Sequence, residues 1–144
     1  RSTRAGIRHV GRDMIRPATG SDVLSIVAMI ERLRAAVDGP IPVDRAHTAA
    51  VVASLIAAPD ALVLVSDAGF IAGRLTPTII NPAPIAVEHG WWAADGSGLR
   101  LLRAFERWAA ERGATLVQLS TGPAGPDLAR LGYRRAELAW VRAI

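Results

Sequence analysis

Residues 85–93 read Ile-Ala-Val-Glu-His-Gly-Trp-Trp-Ala, residues 94–98 read Ala-Asp-Gly-Ser-Gly, and residues 99–113 read Leu-Arg-Leu-Leu-Arg-Ala-Phe-Glu-Arg-Trp-Ala-Ala-Glu-Arg-Gly. The first piece is apolar except for Glu88 and His89, and it reads as a strand. Gly90 inside it marks a bulge or a close backbone approach. The third piece places Leu101, Leu102, Phe105, Trp108 and Ala109 at helical spacing, with Arg100, Arg103, Arg107 and Glu111 elsewhere on the surface. That predicts an amphipathic helix from Leu99 to Arg112, closed by Gly113. A strand feeding a glycine loop at a helix N-terminus gathers backbone N–H groups, and the helix dipole adds about half a positive charge. Arg100 adds a guanidinium able to pair with a phosphate. The same residues also read as a plain turn, and the glycines alone do not decide between the two.

On the C-terminal side, Ala114–Ser120 reads as a strand, so strand, helix and strand form a parallel crossover unit. On the N-terminal side, Ala61–Ser66 and Phe70–Leu75 flank Asp67-Ala68-Gly69 and read as a β-hairpin. A loop with Pro77, Pro82 and Pro84 leads from it to Ile85. Met14–Ala18 is a short first strand. Ser21 or Asp22 caps a helix that begins at Val23, carries Leu24, Ile26, Val27, Ile30 and Leu33 inward, and ends at Asp38-Gly39-Pro40. A second helix runs from Asp44 to Ala58 with Val51, Val52, Leu55 and Ile56 as its buried stripe. His47, in its first turn, reads as a surface histidine or as a cleft residue. After the loop Thr121–Gly125 come a short helix, Pro126–Leu131, and a last extended segment, Tyr133–Ile144. The sum is a mixed α/β sheet of six to seven strands with about four helices. It forms one domain over residues 13–144, preceded by a mobile basic tail over residues 1–12.

The composition narrows the chemistry. The chain has 144 residues, 51% of them hydrophobic, which suits one domain with a real core. It has no cysteine, which excludes disulfides, thiolate metal sites and a cysteine nucleophile. No apolar run approaches the ~20 residues of a membrane span, and the N-terminus lacks the apolar core of a secretory signal. A soluble cytoplasmic protein is the expectation. The net charge of +4 invites a nucleic-acid reading. Yet every basic residue is arginine and the arginines are scattered, which fits a GC-rich coding sequence rather than a binding stripe. A P-loop is excluded because the chain has no lysine. A Rossmann fingerprint fails because Leu101 stands where a third glycine or alanine belongs, and no acid follows at the required distance.

The ordered set, however, resembles the GNAT superfamily of N-acetyltransferases. The opening Met14-Ile-Arg-Pro-Ala-Thr-Gly-Ser-Asp22, the two helices, the hairpin, the bulged strand, the glycine loop with its helix and the closing Leu128-Ala-Arg-Leu-Gly-Tyr133 are similar to that family's sequence of features. The resemblance covers residues 13–144. It implies a mostly antiparallel central sheet splayed at its central strand, acetyl-CoA as cofactor and a primary amine as acceptor. No metal is expected and, with no apolar run of spanning length, no membrane partner.

By the same resemblance, residues Ala93, Ala94, Asp95, Gly96, Ser97, Gly98, Leu99 and Arg100 would hold the pyrophosphate, and Ser120 or Thr121 the pantetheine arm. Ala93 stands where the family carries glutamine or arginine, so that side chain is absent. The bulge at His89 to Trp92 would open the gap for the thioester, with a backbone N–H near Ala93 facing its carbonyl. An ammonium acceptor needs a base, and Glu88, a carboxylate inside an apolar strand, is the first candidate. The alternatives for Glu88 are a structural pair with an arginine such as Arg74, or an anchor for the substrate ammonium. His89 is the second candidate base. Leu128 stands where many members place a tyrosine as general acid, while Tyr133 fits a core position. Trp91 and Trp92 read mainly as core or interface residues, and Trp140 as core or a dimer contact. Two other readings stand beside the enzyme: a non-catalytic acyl-CoA-binding module of the same fold, and a small basic nucleic-acid-binding protein.

Overall fold

The hairpin forms the middle of the sheet. The structure, a computed structural model, describes residues 14–144; the expected N-terminal tail lies outside them. Strand β1 is Arg16–Pro17, helix α1 Val23–Val37, helix α2 Arg45–Ala57, strand β2 Ala61–Ser66, strand β3 Gly69–Thr76, strand β4 Ile85–Ala93, helix α3 Gly98–Glu111 and strand β5 Val117–Gln118. The strands lie in the order β1-β2-β3-β4-β5. The first three pairings are antiparallel and β4–β5 is parallel, joined by the crossover through α3 that a parallel pair requires.

Three expectations are corrected. The sheet has five strands rather than six or seven among the described residues, and there are three α-helices rather than four. The predicted helix Pro126–Leu131 is a single 3₁₀ turn, Ala129–Leu131. Residues 133–144 pair with no strand; Leu138, Trp140, Val141 and Ile144 are exposed there, so Trp140 is not core.

Local chemistry sets the helix ends. The Asp22 carboxylate accepts two bonds from the Arg16 guanidinium, both 2.8 Å, and one from the Thr19 amide. The guanidinium and these bonds hold its pKa well below the usual carboxylate range. This cluster ties β1 to the start of α1. Asp44 caps α2 by accepting the His47 backbone N–H at 2.9 Å.

Strand alternation divides the core into two layers. Val63, Val65, Phe70 and Ala72 face α1 and α2, where Ile26, Val52 and Leu55 are buried. Leu64, Ile71 and Ala86 face α3, whose Leu101, Leu102 and Phe105 are fully buried. Leu24 is corrected to the outer face of α1, 71% exposed, because Val23 takes the inward position.

Candidate active site

The parting of β4 from β5 defines the site. The parallel pairing lasts only from Ala86 opposite Val117 to Val87 opposite Gln118. Beyond Val87, β4 keeps its partner β3 on one side and has no strand on the other among the described residues. The register to β3 also shifts there: Gly73 lies opposite Glu88 and Ala72 opposite Gly90, leaving His89 as the extra residue of a β-bulge. Gly90 is required by close approach, since a Cβ there would sit 2.9 Å from the Phe70 ring.

Glu88 stands at the first position past the last β5 pairing. Its Oε2 accepts the Ser120 backbone N–H at 3.3 Å, across the opening between the strands. Burial pushes its pKa up to about 7, against the smaller opposing effect of that hydrogen bond. Arg74, the partner considered for a structural role, instead pairs with Asp60 at 3.5 Å. At His89, partial burial and the Arg74 charge both lower the pKa, which favours the neutral imidazole. The bulge thus sets a carboxylate titrating near neutrality beside a neutral histidine on consecutive residues.

The glycine loop is tied down internally. The Asp95 carboxylate accepts four hydrogen bonds, from the Ser66 hydroxyl, the Ala68 amide, and the amide and hydroxyl of Ser97. Burial acts to raise its pKa, but these bonds outweigh burial and hold the carboxyl well below its usual range. Ser97 is fully buried and also bonds to the Ser66 hydroxyl at 2.7 Å. The Ala94 amide donates to the Ala68 carbonyl at 2.8 Å. The amides of Ala94 and Ser97 are therefore spent on holding the loop against the β2–β3 turn.

The amides further along are placed differently. The first intrahelical bond of α3 runs from the Leu101 amide to the Ser97 carbonyl, so the helix supplies no acceptor for the amides of Gly98 and Leu99. A Cβ at Gly98 would meet only ordinary contacts, the nearest 3.7 Å away at Ala93. Gly96 adopts φ +78°, a turn conformation that favours glycine. Arg100 lies exposed in the first turn, and Ser120 and Thr121 are exposed on the segment leaving β5.

Neither of the paired tryptophans is free. The Trp91 indole N–H donates to the Gly98 carbonyl at 3.0 Å and fixes the end of the loop. Trp92 lies under the Arg32 guanidinium, 5.7 Å from its ring centroid. Tyr133 packs against the α3 cluster and donates its hydroxyl to Glu106 at 3.1 Å, consistent with a core position.

His47, which the sequence places mainly on the surface, is exposed in the first turn of α2. It lines a cavity together with His89, although the two lie on different elements. The signal available in the sequence was its place in the first turn after the α1–α2 loop. Among the described residues no group of three or more His, Asp or Glu could hold a metal ion, and no helix is long and apolar enough to cross a membrane.

No protein-family model and no curated protein matches the sequence. Solved structures do match. A predicted acetyltransferase with acetyl-CoA from Clostridium acetobutylicum superposes with TM-score 0.73 at 15% identity, covering 90% of this chain and 94% of that one. A GNAT family acetyltransferase from Staphylococcus aureus superposes with TM-score 0.64 at 14% identity, covering 91% and 98%. A transcriptional regulator from Bacillus halodurans superposes with TM-score 0.71 at 22% identity, covering 91% and 99%. At these identities the likeness is one of fold: the chain has the fold of the GNAT acetyltransferases.

Proposed function

We propose that the protein transfers an acetyl group from acetyl-CoA to a primary amine. The observation that carries this reading is Glu88, a carboxylate with a pKa of about 7 at the point where β4 and β5 part. The acetyl-CoA neighbour of the same fold supports the choice of donor. The residues present also fit such a donor. The Gly98 and Leu99 amides at the start of α3 would meet the pyrophosphate, the open space over Gly98 would admit it, and Asp95 is turned toward the hairpin. Arg100 would add a positive charge, and Ser120 and Thr121 would border the pantetheine.

When bound, acetyl-CoA supplies the thioester carbonyl that the amine attacks. The chain's own task is proton handling. An alkyl amine of pKa about 10 arrives as ammonium and must lose a proton. The Glu88 carboxylate takes that proton, directly or through one water, and its pKa near neutrality suits a base that must later release it. His89, neutral and adjacent, is the second acceptor. Leu128 provides no general acid, and a thiol of pKa about 8.5 leaves adequately as thiolate.

The test is thiol release from acetyl-CoA across a panel of amines, for wild type and Glu88→Gln, as a function of pH. Wild-type turnover should rise with pH through about 7 and level off, and Glu88→Gln should lose about a hundredfold together with that dependence. Equal rates at every pH would remove Glu88 as the base.

A further inference from the structure

A cavity of about 160 Å³ lies between α2 and the sheet at the level of the β4 bulge. Its wall is apolar, built from Ile30 of α1, Val51, Val52 and Leu55 of α2, and Phe70 and Ala72 of β3. Three polar side chains reach it: His47, Thr48 and His89. The Thr48 hydroxyl donates its proton to the Asp44 carbonyl at 2.7 Å, as a helical threonine does, so toward a ligand it can only accept. The imidazoles of His47 and His89 are left to meet a ligand. Both are exposed, one on the first turn of α2 and the other on the bulge of β4. No carboxylate and no arginine is among the described lining residues.

We propose that this cavity receives the body of the acceptor, a small primary amine bearing one uncharged alkyl or aryl group, with His47 and His89 flanking the amine at the mouth. The fate of that amine rests on the acetyltransferase reading; the selection of its body rests on the cavity alone. An apolar cavity of about 150 Å³ takes a benzene ring, so this one suits a single ring or a branched five-carbon chain. A second ammonium, as on a polyamine, would find no counter-charge inside. A hydroxylated amine would leave its hydroxyls unpaired against Val52, Leu55 and Phe70. His89 and Gly90 are the β4 residues of the lining, and Glu88 precedes them directly along the strand.

The direct test is an NMR titration of the His47 and His89 ring resonances in the absence of acetyl-CoA. The probes are benzylamine and isopentylamine, compared with spermidine and ethanolamine. The first two should shift both histidines at concentrations at least about tenfold lower than the last two. Val51, half-exposed on the cavity wall, can be enlarged without opening the core. Val51→Trp should weaken the benzylamine response at least about tenfold, and Val51→Phe serves if the tryptophan variant does not fold. Equal shifts with spermidine or ethanolamine, an unchanged response in the enlarged variant, or no shift at millimolar amine would overturn the proposal. A parallel titration with acetyl-CoA separates the two readings. Benzylamine binding without acetyl-CoA binding would leave the cavity assignment standing and remove the acetyltransferase.

Discussion

Glu88 is held where its charge is costly. Its carboxyl titrates at about 7 instead of 4.5 because the charged form loses hydration inside the strand, and the Ser120 amide offsets only part of that loss. Between those two pH values the folded chain binds this proton more tightly than the unfolded chain. Stability therefore falls as pH rises through that window, and by its upper end the carboxyl has cost up to about 3 kcal/mol. Glu88→Gln removes the charge and keeps an oxygen for the Ser120 amide. Its melting temperature should exceed that of wild type at about pH 8 and match it at about pH 4, by scanning calorimetry. Matching curves at both pH values would mean that the charged carboxyl is well solvated. A carboxyl that is costly to ionise, placed where two strands part, has the properties the proposed base requires.

Asp95 sets the position of the glycine loop at the scale of elements. Its carboxylate joins the start of α3 to the β2–β3 turn through Ser66, Ala68 and Ser97. Asp95→Ala should lower stability by about 1–2 kcal/mol, the usual cost of losing such a cap, read by denaturant unfolding. It should also weaken acetyl-CoA binding, because the Gly98 and Leu99 amides lose their fixed place. Unaltered affinity would mean that the loop holds its shape without the clamp. The half of the clamp made by Ser97 is local to residues 94–98, but the half made by Ser66 and Ala68 was not legible there, because those partners lie 29 and 27 positions earlier and meet Asp95 only once the sheet is formed.

The helices were legible for the opposite reason. The stripe of α3 and the Asp44 cap of α2 are local signals, and Leu101, Leu102, Phe105 and Ala109 are buried as their spacing implied. Strand ends were overread at Ala114–Ser120 and in residues 133–144. An apolar run states that a segment can pair, while the neighbouring edge decides whether it does. The cavity beside His47 was not legible because its wall is completed by β3 and β4, far away in sequence.

At the scale of the whole molecule, one sheet separates two apolar layers. Phe70 lies in the layer under α1 and α2, and Phe105 in the layer under α3; both are essentially inaccessible to solvent. Phe70→Leu and Phe105→Leu should each cost about 1–2 kcal/mol. Because they share no cluster, the double variant should lose the sum within about 0.5 kcal/mol, measured by urea unfolding. A coupling well beyond that would show that the sheet transmits packing strain between its faces. The site draws on both layers: α3 carries the loop, α2 carries His47, and the bulge of β4 lies between them. The claim that joins these parts is that acetyl-CoA binds at the start of α3. Calorimetric titration of acetyl-CoA into wild type and Gly98→Glu tests it most directly, because a side chain at Gly98 meets only ordinary contacts and the variant should fold. Saturable binding by wild type that Gly98→Glu abolishes is the expected result; no binding by wild type, or equal binding by both, would contradict it.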